Sequence, residues 1–152
     1  MGSQSGDIPK EEPDMTPANR RTAWNSPMRP PRVLDVVFWL AVIVLPAIAC
    51  LATILLFPPG ATNVPMHWNA AGDIDGYGSP WTMLPFGMIM GATNALLAAC
   101  YAFNDFLYDH GLVHNISRKG ALILYRVLAA FIVIVTVGVL VFWASRAMAA
   151  MA

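Results

Sequence analysis

Charge is what this sequence has least of. Only 12% of its residues are Asp, Glu, Lys or Arg, against about 25% in an ordinary soluble domain. The nine basic and nine acidic residues cancel, so no basic excess exists to attract nucleic acid. Cysteine is nearly absent too. Cys50 and Cys100 both fall inside apolar runs, and neither has a second Cys at CxxC spacing. A disulfide or thiolate metal site is therefore not expected, and buried apolar thiols are. Catalytic signatures are missing as well. No HExxH, nucleophile elbow, phosphate-binding glycine loop or dinucleotide fingerprint occurs, and nothing ahead of Gly72-Asp-Ile-Asp-Gly76 reads as a strand. The expectation is a protein without enzymatic activity and without a cofactor.

What the chain has in abundance is uninterrupted apolar sequence. Val36–Phe57 and Trp81–Phe103 are uncharged, and so is Val127–Ala144, which Ala121–Leu124 extends. Each reaches the roughly 18–20 residues that a helix needs to cross about 30 Å of hydrocarbon. Backbone groups in lipid must bond internally, so each run reads as a helix. The expected fold is an all-α membrane protein with three transmembrane helices, spanning about 36–57, 81–103 and 121–144. These lie in a membrane domain over 33–146, with connecting loops 58–80 and 104–120. The first run is too long, and too far from the N-terminus, for a signal-peptide core.

Orientation follows from Lys and Arg. Arg20, Arg21, Arg29 and Arg32 precede the first span, and Arg118, Lys119 and Arg126 flank the third, whereas 58–80 has none and the tail has only Arg146. The N-terminus and the second loop are expected in the cytoplasm, with the first loop and the C-terminus outside a bacterial plasma membrane. Residues 1–32, punctuated by six prolines and without apolar periodicity, read as a disordered cytoplasmic tail. Its arginines are read as topology determinants, ahead of contact with anionic lipid. The N-terminal hexapeptide lacks the Ser or Thr of a myristoylation signal.

Several intramembrane residues invite a packing role. Gly87 and Gly91 start a four-residue step that continues through Ala95 and Ala99, and Ala41, Ala49 and Ala52 repeat on the first span. Small residues let helix backbones approach where lipid supplies no hydrophobic drive. Intramolecular packing is the favoured role, ahead of a dimerisation seam or a substrate path. The Asn94 amide is expected to bond a neighbouring helix, Pro46 to kink the first span, and Pro85 to open the second. Arg126 is expected to snorkel toward the headgroups, with Asp105 or Asp109 as partner. Trp39, Trp68, Trp81, Tyr77, Tyr101, Tyr108, Tyr125 and Trp143 fall near span ends, as an aromatic belt would. His110 and His114 have metal-pair spacing, but Gly111 between them weakens the helix they would share.

Pro65–Pro80 is the segment with the most individual character. It is polar, rich in turn residues and free of Lys and Arg, and it must form a hairpin at the membrane surface. His67, Asn69, Asp73 and Asp75 are potential ligands, but an EF-hand register would place Ala71 at position 1 and Thr82 at position 12, where acids are required. His67 and Asp75 remain weak metal candidates. The stronger reading pairs them with each other and uses Gly72, Gly76 and Gly78 as turns. Recognition of an external partner is the other role left open.

The pattern Pro65-x-His67-Trp68-Asn69-x-x-Gly72-x-x-Asp75-Gly76-Tyr77-Gly78-Ser79 between two apolar spans resembles the bacterial membrane family called domain of unknown function 1648. That domain forms the N-terminal part of the SdpI-like immunity proteins. The resemblance covers roughly residues 36–90. It implies a multi-pass plasma-membrane protein, with relatives that protect cells from a membrane-active peptide toxin and signal by holding a repressor at the membrane. The chain departs from those relatives by having three spans rather than a further membrane region, and by Ala-Thr-Asn-Val where a Leu-Pro pair is common. The resulting expectation is an immunity-like, signalling or accessory membrane protein. Its recognition residues are Pro65, His67, Trp68, Asn69, Gly72, Asp73, Asp75, Gly76, Tyr77 and Gly78. Candidate partners are the bilayer, a second copy, a membrane protein, a peptide toxin or a repressor. The alternatives are a metal-dependent transporter or enzyme subunit using His67, Asp73 and Asp75, and a purely structural assembly partner.

Overall fold

A computed structural model describes residues 32–151. The expected tail over 1–32, with Arg20, Arg21 and Arg29, lies outside the described residues apart from Arg32. Along the chain run α1 (Val33–Ile54), β1 (Val64–Trp68), β2 (Ile74–Gly78), a 3-10 turn (Pro80–Met83), α2 (Leu84–Ala102), the short α3 (Asn104–Asp109) and α4 (Arg118–Met151). Among the described residues three helical segments are long and apolar enough to cross a membrane: Val33–Ile54, Pro80–Ala102 and Arg118–Met151. The three expected spans are thus present with shifted ends. The all-α expectation needs one correction, because β1 and β2 pair antiparallel as a small sheet. A strand therefore does precede Gly72-Asp-Ile-Asp-Gly76, although it leads into a second strand rather than a phosphate-binding helix.

α1 and α2 meet at backbone distance. The face α2 buries is Gly87, Gly91, Asn94 and Tyr101. A Cβ at Gly91 would lie 2.6 Å from the Ile43 carbonyl oxygen, and one at Gly87 would lie 2.7 Å from Cys50 Cβ, so only glycine permits this approach. Ala95 and Ala99 do not continue the stripe; both are exposed. A step of four residues turns about 400°, overshooting a full helical turn by about 40° each time. The buried face therefore passes from Gly91 to Asn94. On α1 the buried residues are Trp39, Val42, Pro46, Cys50 and Ile54, not the expected alanines: Ala41 and Ala52 are exposed and Ala49 is half-buried.

At the centre of this seam two residues complement one another. Pro46 has no N–H, so the carbonyl four residues earlier, that of Val42, loses its helical donor. Asn94 Nδ2 donates to that same Val42 oxygen at 2.7 Å, in a fully buried contact. The Asn94 amide therefore bonds a neighbouring helix, and its acceptor is the one group on α1 that the proline orphans. Cys50 Sγ makes a comparable contact, 3.0 Å from the Met83 carbonyl.

α4 packs against α1 and α2 through Ala129 and against α1 through Leu140, and it buries Trp143, Ala144 and Ala147 against the hairpin end. Its 34 residues extend about 51 Å at 1.5 Å per residue, well beyond the hydrocarbon thickness. One overhang meets the hairpin and the other meets α3. At the α3 end, Arg118 bonds Asp105 at 3.1 Å and also Asp109, with its guanidinium over the Tyr108 ring. Arg126 instead takes Asp35 on α1, at 2.5 Å, together with the Tyr101 hydroxyl on α2. The expected pairing of Arg126 with Asp105 or Asp109 is thereby corrected: Arg118 is closer to α3 along the helix and occupies both carboxylates. Asp35 also accepts from the Arg32 backbone N–H at 3.0 Å, capping the first turn of α1.

Candidate functional site

The polar segment folds into a hairpin because its residues agree locally. The five residues Asn69–Asp73 link the strands. Asn69 Oδ1 accepts from the backbone N–H groups of Ala71 and Asp73, each at 2.9 Å. The short Asn side chain mimics a backbone turn in this way. Asn69 N–H closes the loop to the Asp73 carbonyl, and Gly72 N–H bonds back to the Asn69 carbonyl. Gly72 has φ +90, a conformation that glycine alone adopts readily. Register irregularities flank His67, which lies opposite Gly76. A Cβ at Gly76 would sit 3.1 Å from His67 Cβ, so the glycine makes room for the imidazole's stem.

The potential ligands divide into two pairs. His67 Nδ1–H donates to Asp75 Oδ1 at 2.5 Å, and Asn69 Nδ2 reaches Asp73 Oδ2 at 3.4 Å. Among the described residues no three His, Cys, Asp or Glu side chains gather as a metal-holding group. The His67–Asp75 pair is an oriented imidazole–carboxylate on open surface, with side-chain exposures of 73% and 42%. It has hydrogen-bonding capacity for a ligand, but it lacks the enclosed, low-dielectric surroundings that strengthen catalytic electrostatics.

Behind this polar face the hairpin is anchored. Val64 is fully buried and Pro65 buried beside it. Val64 packs with Phe57 and with Trp143, Ala144 and Ala147 of α4, and Met66, Trp68 and Met83 lie against the cluster. Trp143 Nε1 donates to the Pro65 carbonyl at 3.1 Å, and its ring meets Phe57 at 5.1 Å between centroids. Trp143 is thus a docking residue for the hairpin and not part of an interfacial belt. The belt assignment also fails for Trp39, which is buried against Tyr101. Tyr77 and Trp81 fit it better, at 61% and 53% exposed.

The structure brings His67, Asp75 and Tyr77 onto one small sheet and Asn69 and Asp73 into the loop that joins its strands, with Trp68 half-buried. Gly87, Gly91 and Asn94 belong to the helix seam, apart from this site, and Ala95 belongs to neither. Sequence reasoning missed Trp143 as part of the site; its indole N–H, a side-chain donor in an apolar stretch of α4, was the available signal. Between Phe57 and the 3-10 turn lies an apolar cleft of 340 Å³ lined in part by Pro58, Pro59, Pro80 and Trp81. His110 and His114 share no helix. Gly111, at φ +67, ends α3 with Gly111 N–H bonded to the Tyr108 carbonyl and Leu112 N–H to that of Leu107, the pairing of a Schellman stop.

The fold defines a bundle of three membrane-length helices carrying a docked β-hairpin. No protein-family model, curated protein or solved structure matches the chain.

Proposed function

We propose that this chain is a non-enzymatic multi-pass protein of a bacterial plasma membrane, with the N-terminus and α3 inside and the hairpin and C-terminus outside. In this reading the hairpin is a recognition element, and the role is immunity-like or signalling, directed at a membrane-active peptide. The observation that carries it is the hairpin's two-sidedness. One side is clamped to α4 through Val64, Pro65 and Trp143, while His67, Asp75 and Tyr77 stand exposed on the other. A clamped backbone with exposed polar and aromatic groups binds with little ordering cost. A face with two hydrogen-bonding side chains and a tyrosine suits a peptide partner. The Lys- and Arg-free loop and the basic opposite end support the orientation, and the motif's likeness to domain of unknown function 1648 supports the immunity role.

The test is survival. Cells expressing the chain are challenged with a panel of membrane-active peptides, alongside the His67→Ala/Tyr77→Ala double variant at equal membrane abundance. Protection by the parent and its loss in the variant is the expected result. No protection across the panel contradicts the reading. Orientation is checked independently by an Ala70→Cys variant with Cys50 and Cys100 replaced, which a membrane-impermeant maleimide should label from outside intact cells.

A further inference from the structure

At the end of the bundle opposite the hairpin, Tyr101, Lys119, Leu122, Ile123 and Arg126 line a cavity of 260 Å³. It draws on both α2 and α4. Two of its five lining residues are cations, and none is a carboxylate. Asp35 meets Arg126 without lining the cavity, at Nη2, and the Tyr101 hydroxyl bonds the same nitrogen. A guanidinium carries five N–H donors, and Arg126 Nε is shielded and has no hydrogen-bond partner among the described residues. The guanidinium carbon also lies over the Tyr101 ring, 4.9 Å from its centroid. Asp35 and Tyr101 thus fix its orientation while donor capacity remains.

The apolar lining is equally informative. Leu122 and Ile123 follow Lys119 by one turn toward the middle of α4, and Ile123 is 58% exposed on a helix long and apolar enough to cross a membrane. Arg126 lies eight residues inside the start of α4, about 12 Å along its axis. Asp35 in the first turn of α1 and Tyr101 in the last turn of α2 are at the same level. The site therefore combines cations with hydrocarbon-compatible side chains, Leu122 and Ile123 standing between Lys119 and Arg126 along α4. A free anion would use only the first half of that arrangement. A phospholipid uses both, with its phosphate against Lys119 and Arg126 and its first acyl carbons along Leu122 and Ile123. We propose that this cavity is a binding site for the headgroup of an anionic phospholipid. Basic pockets between membrane helices take such headgroups. The site rests only on the bundle being embedded in a bilayer; it stands or falls independently of the hairpin's role.

The experiment uses the full chain in mixed micelles containing phosphatidylglycerol and phosphatidylcholine, with bound lipid read by native mass spectrometry. Retention of phosphatidylglycerol over phosphatidylcholine is expected. Lys119→Gln, at an exposed position, should weaken that retention about fivefold, whereas Arg146→Gln near the hairpin end should leave it unchanged. Inorganic phosphate at millimolar concentration should fail to displace the lipid. Equal retention of the two lipids overturns the proposal. So does an equal effect of the two substitutions, which would reflect bulk charge alone, and so does displacement by inorganic phosphate, which would make this a simple anion site.

Discussion

The two ends of this bundle are fastened by different physics. At the hairpin end the fastening is aromatic and aliphatic: Phe57, Val64, Trp143, Ala144 and Ala147 pack together, with one indole N–H bond to the Pro65 carbonyl. At the other end it is ionic, through Asp35–Arg126 and through Arg118 with Asp105 and Asp109. Between them the α1–α2 seam uses glycine and a single amide bond. The difference teaches where specificity can be displayed. An end held by buried apolar contacts leaves its polar groups, His67 and Asp75, free to face outward. The other end uses Arg118, and one nitrogen of Arg126, to hold helices together.

Substitutions can break that contrast, and the largest loss is expected at the hairpin end. Trp143→Ala should cost about 3 kcal/mol, because it empties a packed site and orphans the Pro65 carbonyl. Reversible unfolding in mixed micelles measures it, and the loss should be the same at low and high salt. Arg126→Gln should cost about 1 kcal/mol, discounted for the partial exposure of the pair. Here the parent should lose part of its advantage in high salt, as the Trp143 contribution does not. Asn94→Leu should also cost about 1 kcal/mol, in line with polar bonds between membrane helices. In a Pro46→Ala background that cost should fall by more than half, because residue 46 then supplies its own N–H to Val42. A double-mutant cycle reads the coupling, and strict additivity would refute the pairing of Asn94 with the proline's orphaned acceptor. The smallest effect on stability belongs to His67→Ala, within about 0.5 kcal/mol as for other surface changes, although it should impair recognition.

The legible part of this molecule was the part written in local chemistry. Uncharged runs announced three helices, and Gly72 announced the turn of the hairpin, whereas Gly76 and Gly78, expected as turns too, lie within β2. Gly87, Gly91 and Asn94 stood out as small or polar residues in an apolar run. The illegible part was pairing at a distance. Asp35 meets Arg126 across 91 positions, and no local pattern distinguishes it from Asp105. Trp39 and Trp143 looked interfacial because amphipathic rings near span ends usually are, yet both are covered by neighbours that only the fold brings together. The strict four-residue stripe failed at Ala95 because the helical period is shorter than four. One signal was present and unread: Pro46 marks the Val42 carbonyl as needing a donor, and Asn94 is the polar side chain of α2 that reaches it.

Display of the polar face depends above all on the hairpin being clamped to α4 as a unit. Hydrogen exchange of the full chain in nanodiscs, parent against Trp143→Ala, tests this. The prediction is that hydrogen-bonded amides of the hairpin, including those of Asn69, Gly72 and Asp73, exchange at least about tenfold faster in the variant, while amides of the α1–α2 seam keep their protection. Unchanged protection of the hairpin, or a uniform loss across the whole bundle, would contradict it.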